Sequence, residues 1–240
     1  MPELIDMHCH IIPGVDDGAK NKKDVCEMLL MEYRNGVRKI ILTPHYRKGM
    51  FEPDEQEVQK GLNEIRQMIR ELEIEMEVFL GCEYHANSDM IKELSEYERF
   101  RMNGSKYVLI EFSSRHNFIK IRNWIYELVK AGFEPIIAHV ERYPAVTEKK
   151  ELIQELIDLG AWIQVDAGAI LGEDGWWLKM ISRKLLKEEL IHFIGSDAHD
   201  SKKRCPNLKE CYLYVAKKKG AQYAKELFFG NPRVLLKSKE

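Results

Sequence analysis

The chain contains 240 residues, of which 45% are hydrophobic and 32% are charged. This composition excludes an intrinsically disordered chain, and the length favours one large α/β domain over two small ones. The 37 basic and 39 acidic residues nearly balance, which argues against a general nucleic-acid or membrane-surface binder.

Short apolar runs of strand length alternate with amphipathic segments of helical period along the chain. The first helix is predicted to end at Asn35-Gly36, a typical helix C-terminus. The clearest helix lies between residues 53 and 73, where apolar residues recur every three or four positions. The predicted strands are residues 4–7, 37–42, 76–80, 107–110, 134–138, 162–165 and 190–194. The predicted helices are residues 24–34, 53–73, 90–97, 118–131, 150–159, 176–187 and 208–228.

The predicted strands are mainly apolar and do not alternate strictly with polar residues, which is typical of a parallel sheet covered by helices on both faces. Seven successive βα units can form an open sheet or a closed barrel. The glycine motifs of nucleotide-binding open sheets, GxGxxG and GxxxxGK[ST], are absent from the sequence. We therefore predict one domain, residues 1–240, that forms a distorted seven-stranded (β/α)7 barrel of the TIM type.

Charged residues interrupt every apolar run, so no segment is expected to span a bilayer. The first six residues lack the basic and apolar regions of a signal peptide. The five cysteines are an odd number without a CxxC spacing, which indicates reduced thiols. Together these features predict a cytoplasmic protein.

Histidines and carboxylates stand at the ends of nearly all the predicted strands. In a parallel α/β barrel these ends carry the catalytic residues. Alternate residues of a strand face the same side, so His8 and His10 can bind one ion, and Asp197 and His199 repeat the spacing. A single histidine here often has a structural role, but five of eight share this location, which favours a metal cluster. The candidate ligands are His8, His10, Asp16 or Asp17, His45, Glu83, Glu111, His139, Asp197 and His199.

The order of these motifs resembles the PHP (polymerase and histidinol phosphatase) family. Its signature is an N-terminal HxH, a His after the second strand, a Glu after the third, a His near mid-chain and a late DxH. All of them occur here in order, between His8 and His199. The resemblance implies the PHP fold, a distorted seven-stranded β/α barrel, with three bound metal ions.

The sequence is most similar to one branch of that family, the manganese-dependent protein-tyrosine phosphatases of bacterial capsular and exopolysaccharide loci. Asp17 and Glu111 mark this branch, because other PHP phosphatases commonly carry histidines at those positions. The matching segments are residues 6–10, 15–18, 48–52, 138–143 and 196–199, with Arg204 beyond the last.

The resemblance implies three divalent ions, with Mn²⁺ expected and iron or Zn²⁺ as alternatives. Glu83 would bridge two of them, and Asp16 is the adjacent alternative to Asp17. The implied sites are His8, His10, Glu83 and Asp197 for the first ion, Glu83, Glu111 and His139 for the second, and Asp17, His45 and His199 for the third.

The implied activity is hydrolysis of phosphotyrosine by a metal-bound hydroxide, with no nucleic-acid partner. The implied partner is a bacterial tyrosine autokinase in the control of polysaccharide biosynthesis. Arg142 and Arg204 follow ligand motifs and are predicted to bind phosphate, because a guanidinium matches two phosphate oxygens. Tyrosine phenolate, with a pKa of about 10, leaves more readily than an alkoxide.

The sequence also bears on other possible functions. No cysteine is followed by an arginine six residues later, which excludes the cysteine-phosphatase mechanism. Two alternatives stay open, a small-molecule phosphatase of the histidinol-phosphate type and a PHP scaffold without activity, although the intact ligand set argues against the scaffold. The sequence leaves open the roles of His85, Asp166, Arg47 and Lys48.

Overall fold

The computed structural model describes residues 3–237, so the ends of the predicted 1–240 domain lie outside the described residues. Within this range nine strand segments pair in parallel as two sheets, with the orders β1-β2-β4 and β3-β5-β6-β7-β8-β9. The strands are β1 (Leu4–Cys9), β2 (Val37–Leu42), β3 (His45–Tyr46), β4 (Glu77–Leu80), β5 (Glu83–His85), β6 (Tyr107–Glu111), β7 (Glu134–Ile137), β8 (Trp162–Asp166) and β9 (Phe193–Gly195).

Two of the predicted strands, residues 37–42 and 76–80, are each followed after a two-residue break by a further short strand, so the structure has more strand segments than the seven predicted. Thr43-Pro44 separates β2 from β3, and Gly81-Cys82 separates β4 from β5. Pro44 has no N–H to donate to the ladder. The N–H of Gly81 bonds the carbonyl of Leu42 at 2.7 Å, and the N–H of Glu83 bonds that of Pro44 at 3.1 Å. The two sheets are therefore joined through the interrupted strands.

The joined sheet curls until the segment after β9 meets β1. The N–H of Asp197 bonds the carbonyl of His8 at 2.8 Å, and the N–H of His10 bonds the carbonyl of Ala198 at 2.9 Å. The predicted α/β class is confirmed as an α/β fold with a curled parallel sheet.

Helices connect the strands and pack against the sheet. In residues 3–237 they are α1 (Lys22–Arg34), α2 (Glu55–Glu71), α3 (Met90–Glu96), α4 (Phe118–Lys130), α5 (Pro144–Thr147), α6 (Lys150–Asp158), α7 (Ala167–Leu171), α8 (Trp176–Lys187), α9 (Leu208–Lys219), α10 (Ala221–Lys225) and α11 (Asn231–Val234). The predicted helix over residues 208–228 is divided, because Gly220 has φ of +96° between α9 and α10. None of these described helices is long and apolar enough to cross a membrane.

The curled sheet encloses an apolar cluster. Fully buried side chains from five strands contact one another there, although several of these strands are not neighbours. Such contacts are only possible inside the curl, so the interior is packed and is not a channel. The cluster includes Met7, Ile41, Leu109, Ile136 and Phe193.

Candidate metal centre

The nine predicted ligands converge at the carboxyl ends of the strands. The connections run through Glu83, whose carboxylate approaches four of the five histidines, and through Asp17, which approaches His45 and His199. The ligands come from β1 and the residue after it (His8, His10), the loop after β1 (Asp17), β3 (His45), β5 (Glu83), the end of β6 (Glu111), the loop after β7 (His139) and the loop after β9 (Asp197, His199).

Four of the predicted ligands, all buried, lie close together, and they are the set predicted for the first ion. Nε2 of His8 and Nε2 of His10 are 3.2 Å apart. Oε2 of Glu83 is 3.3 Å from each of these nitrogens, and Oδ1 of Asp197 is 3.5 Å from His8 Nε2 and 3.3 Å from His10 Nε2. Two imidazole nitrogens and two carboxylate oxygens therefore face one point.

Hydrogen bonds on the far side of each ring fix which nitrogen carries the proton. Oε1 of Gln164 accepts from the backbone N–H of His139 at 2.6 Å, so His8 Nδ1, 3.3 Å away, is the donor to it. Nδ1 of His10 lies 2.9 Å from the Asp16 carboxylate and donates to it. In the neutral rings the Nε2 atoms then present lone pairs to the group, as metal ligands must.

Three acceptor atoms in and beside this group have no hydrogen-bond donor among residues 3–237. Glu83 Oε2, Asp197 Oδ1 and His199 Nε2 are buried and make no hydrogen bond to any residue in the described range. His199 donates Nδ1–H to the carbonyl of Asp197 at 2.8 Å, so its free Nε2 is also a lone pair. Buried acceptors that face one another are stabilised by a cation, and the donor set of imidazoles and carboxylates fits divalent transition ions.

Glu83 also connects this group to a second one. His45, Glu83 and Glu111 lie together, with His45 Nδ1 2.9 Å from Glu83 Oε2. His139 Nε2 lies 2.6 Å from the other oxygen, Oε1. The sequence grouped His139 with Glu83 and Glu111, whereas the structure groups His45 with these two carboxylates and brings His139 to Glu83 alone. Burial and the charge of Glu83 raise the pKa of Glu111.

The third predicted set lies at the open side of the centre. Oδ1 of Asp17 is 3.4 Å from His45 Nε2 and 3.5 Å from His199 Nε2, and the Asp17 side chain is 52% exposed. His199 is the main cause that lowers the pKa of Asp17. Asp16 has a different role, because its Oδ2 accepts from His10 Nδ1 and from the N–H of His45 at 3.0 Å. The geometry thus favours Asp17 over Asp16 as a ligand.

Both predicted phosphate-binding arginines contact a ligand carboxylate. Oδ2 of Asp197 accepts from Nη2 of Arg142 at 2.6 Å and from Nη2 of Arg204 at 2.5 Å. Arg142 also donates from Nη2 to Oδ2 of Asp166 at 2.6 Å. Burial opposes ionisation of Asp197, but Arg142 and His8 hold its pKa well below the usual range. Both guanidinium groups are partly exposed and have further N–H donors.

Two ligands have left-handed backbone conformations that are unusual for residues other than glycine. His139 has φ of 33° and Asp197 has φ of 50°. Such conformations persist where the surroundings determine them, and they are typical of functional sites. Here the N–H of His139 is bound by Gln164 and the N–H of Asp197 by the carbonyl of His8.

Supporting residues were missed by the sequence reasoning. Gln164 links His8, His139 and Asp166, to whose Oδ1 its Nε2 donates at 2.9 Å. The hydroxyl of Tyr143 lies 3.1 Å from Nδ1 of His139 and accepts from the N–H of Phe112 at 3.0 Å. A signal existed for Gln164, since it is a polar residue inside an otherwise apolar strand.

Three of the four residues with open roles have identified contacts. Asp166 holds Arg142, and Lys48 forms ion pairs with Asp89 and Glu93 at 2.7 and 2.6 Å. Arg47 begins a short turn in which its N–H bonds the carbonyl of Phe51 at 2.7 Å. Burial and nearby Arg47 lower the pKa of His85 to about 4.

The unloaded centre binds protons where it would bind metal. Burial disfavours the charged form of His8, but Glu83 and Asp197 raise its pKa to about 9. Burial likewise disfavours protonation of His10, and Asp16 with the same carboxylates raises its pKa. A divalent ion would compete with these protons for the same nitrogen atoms.

Comparison with known proteins gives concordant matches over nearly the whole chain. The family described as "Capsular polysaccharide synthesis, CpsB/CapC" matches residues 4–237. The tyrosine-protein phosphatase CpsB of Streptococcus pneumoniae is 35% identical over 238 residues, which cover 97% of this chain and 98% of that protein. A solved structure from a study of YwqE from Bacillus subtilis and CpsB from S. pneumoniae, described as unique metal-dependent tyrosine phosphatases, has a TM-score of 0.88 at 33% identity. It covers 97% of this chain and 94% of the other.

A more distant structural match concerns the fold alone. Histidinol phosphate phosphatase from Lactococcus lactis, solved with zinc, L-histidinol and phosphate, has a TM-score of 0.58 at 15% identity. The alignment covers 92% of this chain and 94% of that one.

Proposed function

This chain belongs to the CpsB/CapC family of capsular polysaccharide synthesis, and we propose that it is a metal-dependent protein-tyrosine phosphatase. The observation that carries the proposal is the group of buried acceptors around Glu83, with two arginines on its Asp197 edge. The first feature is suited to bind divalent cations and the second to bind an oxyanion. Relatives of similar length carry the name of this activity.

We propose that the centre holds three divalent ions, with Mn²⁺ as the physiological metal. His8, His10, Glu83 and Asp197 would hold the first ion, and Glu83 would share the second with Glu111 and His139. Asp17, His45 and His199 would hold the third. The distance of 2.9 Å between His45 Nδ1 and Glu83 Oε2 supports a bridged cluster, because it brings a ligand proposed for the third ion next to the carboxylate proposed to share the first two.

Bound ions of this kind lower the pKa of coordinated water and stabilise charge on a transferring phosphoryl group. The protein supplies the orientation. Asp16 and Gln164 hold His10 and His8 with their Nε2 atoms toward the centre. Arg142 and Arg204 each use one N–H on Asp197, and their remaining donors are available to phosphate oxygens. Asp166 keeps Arg142 in place.

The substrate is proposed to be a phosphotyrosine protein, specifically a bacterial tyrosine autokinase. The family description names capsular polysaccharide synthesis, and the sequence resemblance implies an autokinase partner in the control of that process. We further propose that the whole chain is one barrel domain of seven βα units and that it acts in the cytoplasm. The unpaired state of all five cysteines supports a reducing compartment.

The test is turnover by the purified chain of a phosphotyrosine peptide, with metal analysis of the same sample. Chelation should abolish hydrolysis and Mn²⁺ should restore it. Histidinol phosphate is the comparison substrate, and faster turnover of that compound would favour the small-molecule alternative. A metal-loaded protein that hydrolyses neither compound would support the scaffold alternative.

A further inference from the structure

A short loop stands beside the open side of the centre. Residues 47–52, here called the 47–52 loop, follow β3 directly and so begin two residues after His45. The ring of Phe51 lies parallel to the ring of His45, with 5.5 Å between centroids and 11° between planes. Met50 precedes Phe51 in this loop, and its side chain is 58% exposed.

The loop is held in a defined shape by its own bonds. Arg47 and Phe51 exchange backbone hydrogen bonds at 2.7 and 2.9 Å, and Gly49 permits the turn with φ of +77°. The N–H of Gly49 donates to the Glu52 carboxylate at 2.7 Å. Lys48 attaches the loop to the start of α3 through Asp89 and Glu93. An exposed apolar tip on such a fixed turn is therefore preorganised to bind a ligand.

The position of these side chains suits one part of the substrate. A phosphate held by the metal centre and the two arginines leaves its ester oxygen and organic group directed outward. His45 and the half-exposed Asp17 bound the open side, Phe51 adds apolar surface at the His45 edge, and the exposed Met50 adjoins Phe51 in the same loop. Aromatic rings prefer offset or edge contacts with one another, and they also make favourable contacts with thioether sulfur.

We propose that Phe51 and Met50 form an apolar wall that contacts the aromatic ring of the substrate and makes the site selective for aryl over alkyl phosphomonoesters. This inference rests on the proposed function and concerns the substrate side of the same site. A polar or charged organic group would gain nothing from this wall, whereas the ring of a phosphotyrosine would be partly desolvated by it.

Binding of two phosphonates to the metal-loaded full chain tests the proposal without a leaving group. Phenylphosphonate and methylphosphonate share the oxyanion and differ in the ring, and their dissociation constants can be measured by calorimetry. The unsubstituted protein should bind the phenyl compound about tenfold more tightly. Met50→Ala and Phe51→Ala should each weaken phenylphosphonate about three- to tenfold and leave methylphosphonate within about twofold.

Met180→Ala is the matched control, because Met180 is an exposed methionine, at 41%, on α8. The ratio of its dissociation constants for the two phosphonates should equal that of the unsubstituted protein. Phe51 stacks on His45, so the metal content of Phe51→Ala is measured as well. If that variant loses metal, the phosphonate affinities of Met50→Ala alone test the proposal. An unchanged ratio in Met50→Ala, or equal weakening of both compounds, would overturn the inference. A protein that hydrolyses no phosphotyrosine peptide would instead refute the proposed function.

Discussion

Glu83 and His139, separated by 56 residues in the chain, meet at 2.6 Å between Oε1 and Nε2. The second oxygen of Glu83 lies 2.9 Å from Nδ1 of His45 and 3.3 Å from Nε2 of His8. One buried carboxylate thus contacts histidines from three segments of the chain. Among residues 3–237, Glu83 is the one carboxylate that belongs both to the group with His8, His10 and Asp197 and to the group with His45 and Glu111.

Glu83→Gln is therefore expected to be highly damaging. The substitution keeps the shape but removes a negative charge and replaces an acceptor oxygen with an NH₂ donor directed at the centre. We expect metal affinity to fall at least about tenfold and turnover of a phosphotyrosine peptide about a hundredfold or more. Metal analysis after dialysis and steady-state kinetics measure both. Glu127→Gln, on the exposed face of α4, is the control and should change neither. Near-normal metal content in Glu83→Gln would contradict the bridging role.

The two arginines should show coupled effects. Arg142→Gln or Arg204→Gln alone removes one donor from Oδ2 of Asp197 and one proposed phosphate contact, so KM should rise about tenfold with metal content kept. The double variant leaves the buried oxygen without either cation, and Asp197 should then also lose metal.

A double-mutant cycle on kcat/KM and on metal affinity measures this coupling. Arg122→Gln, at the surface pair with Glu155, controls for loss of an arginine. Strict additivity in both quantities would show that Asp197 does not depend on the pair.

Gln164 is predicted to support the centre without binding metal or substrate. Gln164→Leu removes the acceptor for the buried N–H of His139 and for Nδ1 of His8. Because a buried donor left unpaired costs about 1–3 kcal/mol, the free energy of unfolding should fall by about that amount. Metal affinity should fall about ten- to a hundredfold, as for other residues that orient ligands. Denaturant unfolding and metal titration provide the readouts.

Gln154→Leu is the corresponding control, since Gln154 is an exposed glutamine that bonds Asp158 on the same helix. It should alter neither quantity. A Gln164→Leu protein that keeps full metal affinity would show that other contacts orient His8 and His139, such as that between Tyr143 and His139.

The sequence predicted which histidines and carboxylates meet at one edge of the sheet better than it predicted their hydrogen-bond partners. His8, His10, Asp197 and His199 could be found because strand alternation and the parallel topology place such residues at one edge. The contact of both arginines with Asp197 could not be found, because it depends on side chains from separate loops. Asp16 and Asp17 are adjacent and chemically identical, and only their contacts in the folded chain distinguish them. Asp16 accepts from His10, whereas Asp17 approaches His45 and His199.

The missed parts of the fold have similar causes. The breaks in two strands depend on the missing N–H of Pro44 and on the packing of Gly81, where a Cβ would lie 2.9 Å from the sulfur of Met102. Residues 208–228 keep a helical apolar pattern across Gly220, so the pattern did not reveal the break. Local patterns predict elements, whereas these features arise from packing between elements.

Metal affinity is predicted to rise with pH in the neutral range. Glu83 and Asp197 raise the pKa of His8 to about 9, so in the metal-free protein this ring is protonated below that pH. A ligand must lose the proton to bind metal, so the apparent dissociation constant should decrease as pH rises from about 6.5 and level off near 9. Metal titrations across this range, with proton release followed at pH 7, measure the linkage.

The stability of the metal-free protein should fall as pH rises, whereas its metal affinity rises. The folded pKa of His8 is above its usual value, so its contribution to stability is fully present below about pH 6.5 and is lost as pH rises through about 9. The metal-loaded protein should lack this decline, since bound metal excludes the proton. Thermal unfolding of both forms at pH 6.5 and 9 tests the sign, and parallel curves would contradict it.

Cys9 lies between His8 and His10 at the end of β1, yet its removal should leave the activity intact. Its Sγ is buried and directed to the carbonyl of Ile41, 3.9 Å away, on the side of the strand that packs against apolar residues. Burial and the nearby carboxylate of Asp6 raise the pKa of this thiol well above its usual value, so it is a poor nucleophile at neutral pH. Cys9→Ala should therefore keep metal content and turn over a phosphotyrosine peptide within about threefold of the unsubstituted rate, although the small cavity should lower stability by about 1 kcal/mol. Iodoacetamide should inhibit the native protein little, whereas a chelator should inhibit it fully. Strong inhibition by the alkylator that the Cys9→Ala protein escapes would assign the chemistry to the thiol.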